Sequence, residues 1–222
     1  IYSTEINYRH TSLIHINLCL IKTWTITSLA KDRHNIALFY QTEIDKDNLL
    51  DKPEDNQKPS LDDETLELAQ QLFELARQGN TEALEKPLEL GLAPNIRDSN
   101  GNSLLMLATY NGHAAMTRLL LQHGADPELA NLRHQTPLAG VAFKGHVDIA
   151  QILIEHGADV NATTPDGKTP LMFAAMFNQT AIMELLLSHG ANADLQSADG
   201  MTAMSLAQSM NAQDSIRLLS NR

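Results

Sequence analysis

The sequence predicts an all-α repeat, a solenoid of four to five helix-turn-helix units behind an irregular N-terminal stretch. Three observations predict it. Gly91, Gly124, Gly157 and Gly190 recur every 33 residues. Ser103, Thr136, Thr169 and Thr202 hold a second slot at the same period, and Gly79, Gly112, Gly145, Asn178 and Asn211 hold a third. Between these fixed positions the apolar residues run at helical spacing. A constant period of this length, with two helical patterns per unit, is the signature of stacked repeats.

In chain order, residues 1–40 show no sustained period. Residues 23–27 alternate like a strand, but no second strand of matching quality follows, and an isolated hairpin is marginal in water. Residues 41–58 are charged, with Pro53 and Pro59 nearby, which is linker composition. Residues 1–59 are therefore expected to form a mostly disordered tail. The chain opens on Ile1, and no Met precedes Met106, so the tail reads as an incomplete or mis-started coding frame. The apolar run within residues 12–30 is broken by His15, Asn17 and Lys22. It is too short for a spanning helix and makes a poor export signal.

The ordered domain is expected over residues 60–222. Ser60 with Asp63 resembles a capping box, and Leu66, Ala69, Leu72, Phe73 and Ala76 follow at helical spacing up to Gly79. A second helix is expected over residues 81–90. Pro87 inside it removes the amide that would bond to Ala83, so a bent or shortened helix is predicted. The units then fall at about 62–97, 98–130, 131–163, 164–196 and 197–222. Ser or Thr caps the first helix of each. Pro137 and Pro170 occupy the first helical position, which needs no amide hydrogen. Gly or Asn supplies the left-handed turn between the two helices. The first helices should bury Leu104, Ala108, Leu138, Ala142, Leu171, Ala175 and Ala207. The second should bury Leu119, Leu120, Ile152, Leu153, Leu185, Leu186, Leu218 and Leu219.

At these residues the chain resembles the ankyrin-repeat family, and small bacterial members in particular. The helix start stands as Thr136-Pro137-Leu138 and Thr169-Pro170-Leu171. The unit close stands as His123-Gly124-Ala125-Asp126, His156-Gly157-Ala158-Asp159 and His189-Gly190-Ala191-Asn192. The resemblance covers about residues 62–222. It implies stacked pairs of antiparallel helices with protruding loops, and a concave face that binds other proteins through the loop tips and first helices. It also implies no catalytic activity. The sequence departs from the family where a His often follows Thr-Pro-Leu; these slots hold Met106, Ala139, Met172 and Ser205.

Composition narrows the function classes. Residues 62–222 carry nine Lys and Arg against 19 Asp and Glu, which is −10 of the net charge of −11. Such a surface repels phosphate, so neither nucleic acid nor an anionic membrane is an expected partner. Cys19 is the sole cysteine, which excludes an intrachain disulfide and a Cys-based zinc site. It fits a reducing compartment, and the cytoplasm is expected unless the native N-terminus carries a signal peptide for the periplasm or secretion. His113, His146, His123, His156 and His189 are locked to the repeat, so they should serve the frame rather than a metal. His134 stands at a loop tip where three other units have Gly. No hydrolase triad, zinc-protease or phosphate-loop spacing appears, and Asp126 and Asp159 recur as loop residues. No enzyme activity, metal or cofactor is expected.

What varies between units should carry specificity. The slot near the end of each first helix reads Tyr110, Phe143, Met176, Ser209, and the next reads Asn111, Lys144, Phe177, Met210. Aromatic and Met side chains there suit interface anchors or packing against adjacent helices. Asn102, Leu132, Arg133, Gln135, Lys168 and Met201 would form a loop rim. Arg133 and Lys168, with Lys144 behind, would set a basic spot in an acidic protein, suited to a partner with an acidic patch. The expected function is a monomeric, non-enzymatic adaptor for one or more proteins. The alternative is an exported accessory or protective factor supporting a cell-envelope enzyme.

Overall fold

A computed structural model describes residues 63–221, with side chains from residue 66 onward. The expected tail and the Ser60 cap lie outside the described residues. Within them, ten helices form five pairs. These are α1 (Asp63–Gln78) with α2 (Thr81–Glu89), α3 (Leu104–Tyr110) with α4 (Ala114–Gln122), and α5 (Pro137–Lys144) with α6 (Val147–Glu155). They continue with α7 (Pro170–Met176) paired to α8 (Thr180–Ser188), and α9 (Ala203–Ser209) paired to α10 (Gln213–Ser220). Among the described residues no strand forms; Arg97 and Ser103 make an isolated bridge.

Each first helix packs on the first helices before and after it, and each second helix on its neighbouring second helices. The two members of every pair also touch. The molecule is thus an all-α solenoid of two helix layers. Helices as short as the seven residues of α3 would not persist alone in water. Stacking against neighbours supplies what propensity does not.

Sequence explains the local ends. Ser103 Oγ accepts from Met106 N at 3.1 Å, and Thr136, Thr169 and Thr202 accept from Ala139, Met172 and Ser205 at 3.3 Å each. Ser205 Oγ in turn accepts from Thr202 N, closing a capping box with Ser in the place usually held by Glu. At the first inter-helix turn Gly79 has φ +70°, and a Cβ there would lie 2.5 Å from the His113 ring. That ring needs the space, because its Nε2–H donates to the Arg77 carbonyl at 2.7 Å. Asn178 and Asn211 take the same left-handed conformation in later units, and His134 takes it at a loop tip.

The interior is aliphatic. Leu104, Leu138 and Leu171 are enclosed, and Ala108, Ala142, Ala175 and Ala207 are buried on the same set of first helices. Leu120, Leu153 and Leu186 line the second-helix side. Leu119, Leu185, Leu218 and Leu219 are half-buried rather than enclosed. One local expectation is corrected. The helix containing Pro87 is not shortened; α2 has nine residues, as α4 does. Pro87 lies in its second half, its ring is buried, and its carbonyl accepts from Leu92 N at 2.9 Å.

The loops between units are tied by a ladder of side chains to backbone. Asp126 N donates to Asn95 Oδ1, Asp159 N to Glu128 Oε1, and Asn192 N to Asn161 Oδ1, at 2.8–2.9 Å. Asp126 and Asp159 accept from Glu128 N and Asn161 N, so these carboxylates shape loops, as expected. The ladder is uneven. Residues 123–136 are also joined to the preceding loop by Leu132 N to Asn100 O and by Arg97 to Ala130 O. Residues 189–202 are joined to their predecessor by Ala198 N to Asp166 O. Between residues 123–136 and 156–169, the Glu128 bond is the one such link among the described residues. Pro165 explains part of this: it occupies the slot of Leu132 and Ala198 and has no amide to donate.

Burial raises the Glu128 carboxyl above its ordinary value, against the bond from Asp159 N, and the charges of Asp159 and Asp126 raise it further. A raised carboxyl favours the folded state most below the ordinary carboxylate range, and that contribution is lost as pH rises through the raised value. Glu128→Gln keeps the acceptor and removes the charge. The variant is expected to melt higher than the parent at pH 7, by less than ~1 kcal/mol for so solvent-screened a group. The gain should vanish near pH 4. Thermal melts across this range test the sign; a less stable variant at pH 7 would contradict it.

Candidate interaction surface

The first helices end in a row of adjacent side chains. Tyr110 closes α3, Phe143 and Lys144 close α5, Met176 closes α7, and Phe177 and Met210 are the caps of α7 and α9. Stacking the units brings three rings together. Tyr110 and Phe143 are nearly parallel, 5° apart in plane, with centroids 6.4 Å apart. Phe143 meets Phe177 edge-on, with centroids at 4.4 Å and planes at 76°. The Tyr110–Phe143 distance lies in the range where aromatic pairs add to area burial, and Phe143–Phe177 lies at its short edge. Gly140, inside α5, lies under the Tyr110 ring.

Two of the rings remain open to solvent. Tyr110 is 41% and Phe177 40% exposed, and Met210 is 50% exposed farther along. Phe143 is half-buried between its neighbours, and Met176 is half-buried against the core. The Lys144 ammonium lies 4.4 Å from the Tyr110 centroid and 5.9 Å from that of Phe143. A cation over a ring face is attracted by the ring quadrupole without being neutralised. The sequences of α3, α5, α7 and α9 contain no Asp or Glu, and Lys144 is their single formal charge.

The rim residues divide. Leu132 is 50% exposed at its loop tip. Arg133 beside it is exposed, and it makes no ion pair among the described residues. Asn111 is exposed and donates to Leu107 O. Asn102 is committed internally: it donates to Asp98 and accepts from Asn131. Gln135 and Met201 are half-buried, the first paired through its backbone to Asn131 and the second packed on the core. Lys168 departs from the basic spot expected of it, because its ammonium pairs with Asp166. Hydrogen bonds from Lys168 and Thr164 hold the Asp166 carboxyl below its ordinary range. Positive charge near the rings therefore rests on Lys144, with Arg133 at the rim.

Three of the five repeat-locked histidines bond to the frame. His113 holds the Arg77 carbonyl, and the Nδ1 atoms of His156 and His189 bond to the carbonyls four residues earlier. Sequence reasoning missed the contact of Lys144 with Tyr110 and the absence of acid from α3, α5, α7 and α9. The second was legible by assigning each carboxylate to a helix. The first required knowing that neighbouring first helices touch.

Short capped helix pairs stacked in two layers, with variable side chains at the first-helix ends, define a helical repeat scaffold. The sequence model described as ankyrin repeats (three copies) matches residues 72–164 and 159–222, and the chain belongs to the ankyrin-repeat family. Among its relatives, an ankyrin repeat protein of Pseudomonas aeruginosa is 57% identical over 65 residues, 29% of this chain and 38% of the relative. An ankyrin repeat-containing protein of Treponema pallidum is 41% identical over 58 residues, covering 26% of this chain and 20% of the relative. A homolog of transient receptor potential cation channel subfamily A member 1 from Caenorhabditis elegans is 41% identical over 68 residues, 30% of this chain and 6% of the relative. The matches thus span well under half the length of these relatives. Ankyrin repeats generally act as protein–protein interaction modules, and proteins built of them are typically non-enzymatic.

Proposed function

We propose that this chain is a non-enzymatic adaptor whose first-helix ends and loop tips form the binding face, the concave side of the stack. The observation that carries the reading is the ledge of Tyr110, Phe143 and Phe177, aromatic and partly open to solvent on helices without carboxylates. Aromatic side chains supply large contact area at low entropic cost and dominate the energetics of many interfaces. The repeat frame does not require them, since the same slots hold Asn111, Ser209 and Met210 in other units. A monomer acting in a reducing compartment, the cytoplasm, fits a chain with one cysteine.

The joint variant Phe143→Ala and Phe177→Ala is expected to weaken capture of a partner by about 2 kcal/mol or more, roughly 30-fold. Helical content should be retained, because both side chains sit at the surface end of their helices. Affinity capture by the parent and the variant, with circular dichroism on both, is the measurement. Undiminished capture by a folded variant would place the binding face elsewhere.

A further inference from the structure

Resting on that reading, we infer that the ledge docks an acidic, apolar segment of a partner protein, its apolar side chains on the three rings and a carboxylate on Lys144. The argument is the placement of charge. Residues 62–222 hold 19 carboxylate side chains, yet none lies on α3, α5, α7 or α9. They lie on α1, on second helices, as Glu89, Asp148, Glu155, Glu184 and Asp214 illustrate, and in the loops. A basic segment would be drawn to those carboxylates, while the helices that form the ledge offer it only a cation.

The loop carboxylates nearest in sequence are already satisfied. Asp98 is buried, bonded to Arg77, Asn102 and the Asn100 backbone, and Asp166 is held by Lys168 and Thr164. Asp126, Asp159, Asp194 and Asp199 are exposed in other loops, and none of them makes an ion pair with Lys144 among the described residues. Lys144 is exposed, and it makes no ion pair among the described residues. Its ammonium rests on the Tyr110 ring, which attracts it without neutralising it, so a carboxylate placed there would gain a charge-assisted bond. Carboxylates of the protein farther than about 8 Å from the docked segment repel it weakly, because salt screens them over that distance.

The test is panning of a random 12-residue peptide display library against the full chain, followed by fluorescence anisotropy with a synthetic consensus peptide. Enriched sequences are expected to place Asp or Glu beside Leu, Phe or Trp, and to be lost against the joint Phe143→Ala and Phe177→Ala variant. Lys144→Glu should weaken the consensus peptide about ten-fold, and Lys replacing the peptide's carboxylate should restore binding to that variant. Enrichment of uncharged or basic sequences that still need the two Phe residues would overturn the acidic segment while sparing the face. Enrichment insensitive to the two Phe residues would overturn the inference and the face beneath it. Failure to enrich any peptide would overturn the ledge as a segment-docking surface.

Discussion

Replacing Leu153 by Ala is expected to cost about 2–5 kcal/mol of unfolding free energy, the range for truncating an enclosed Leu. Leu153 is fully buried in α6, and its carbonyl accepts from Ala158 N at 3.0 Å at the turn that closes the unit. The side chain therefore lies where the second helix, the closing turn and the core meet. The third of five pairs has neighbours on both sides, and α6 packs on both α4 and α8. In a stacked array the loss propagates into both interfaces, since each unit is stabilised chiefly by those next to it. Urea denaturation followed by far-ultraviolet circular dichroism measures it. A loss below about 1 kcal/mol would show that Leu153 is not enclosed as described.

Asp98→Ala is expected to cost about 2–4 kcal/mol, through polar groups left unpaired rather than through a cavity. Asp98 Oδ1 accepts from Asn100 N and Asn102 N at 2.9 Å, and Oδ2 accepts from Arg77 at 3.1 Å and Asn102 Nδ2 at 3.2 Å. The side chain of Asp98 is 8% exposed, whereas that of Arg77 is 40% exposed and can recover water. Most of the cost should therefore come from the two backbone amides of the turn. Asp98→Asn is the informative comparison, because Asn131 occupies the same slot one unit on and accepts from Arg133 N and Gln135 N. It should retain the turn and lose the ion pair and the bond from Asn102 Nδ2, at roughly 1 kcal/mol. Equal losses for Ala and Asn would mean that the Arg77 pair, not the turn, sets the stability of this loop.

Much of the frame was legible because it repeats. Thr136, Thr169 and Thr202 cap, Pro137 and Pro170 start, and Asn178 and Asn211 turn, each through local backbone demands that a sequence states directly. His134 could be read as a turn residue for the same reason, and its φ of +56° places it there. At Pro87 the missing amide is a local fact that the sequence states, while the burial of its ring is a tertiary one, and α2 is not shortened. Among the proposed contacts, Tyr110, Phe143, Lys144 and Phe177 do meet, but Lys168 and Asn102 are drawn into their own loops. A loop residue's neighbours depend on how the loop folds back, and no period reports that.

The sequence by itself determined the unit, its length, its caps and turns, and the apolar stripes of its helices. These follow from hydrogen bonding and backbone conformation within a few residues, so they survive being read one unit at a time. Only the tertiary structure decided how residues 33 or 34 apart meet. Contact between neighbouring first helices sets Tyr110 beside Phe143, Phe143 against Phe177, and Lys144 over Tyr110. The physical reason is that these contacts form between units, where the spacing of stacked helices, rather than any preference of the chain, fixes which side chains touch.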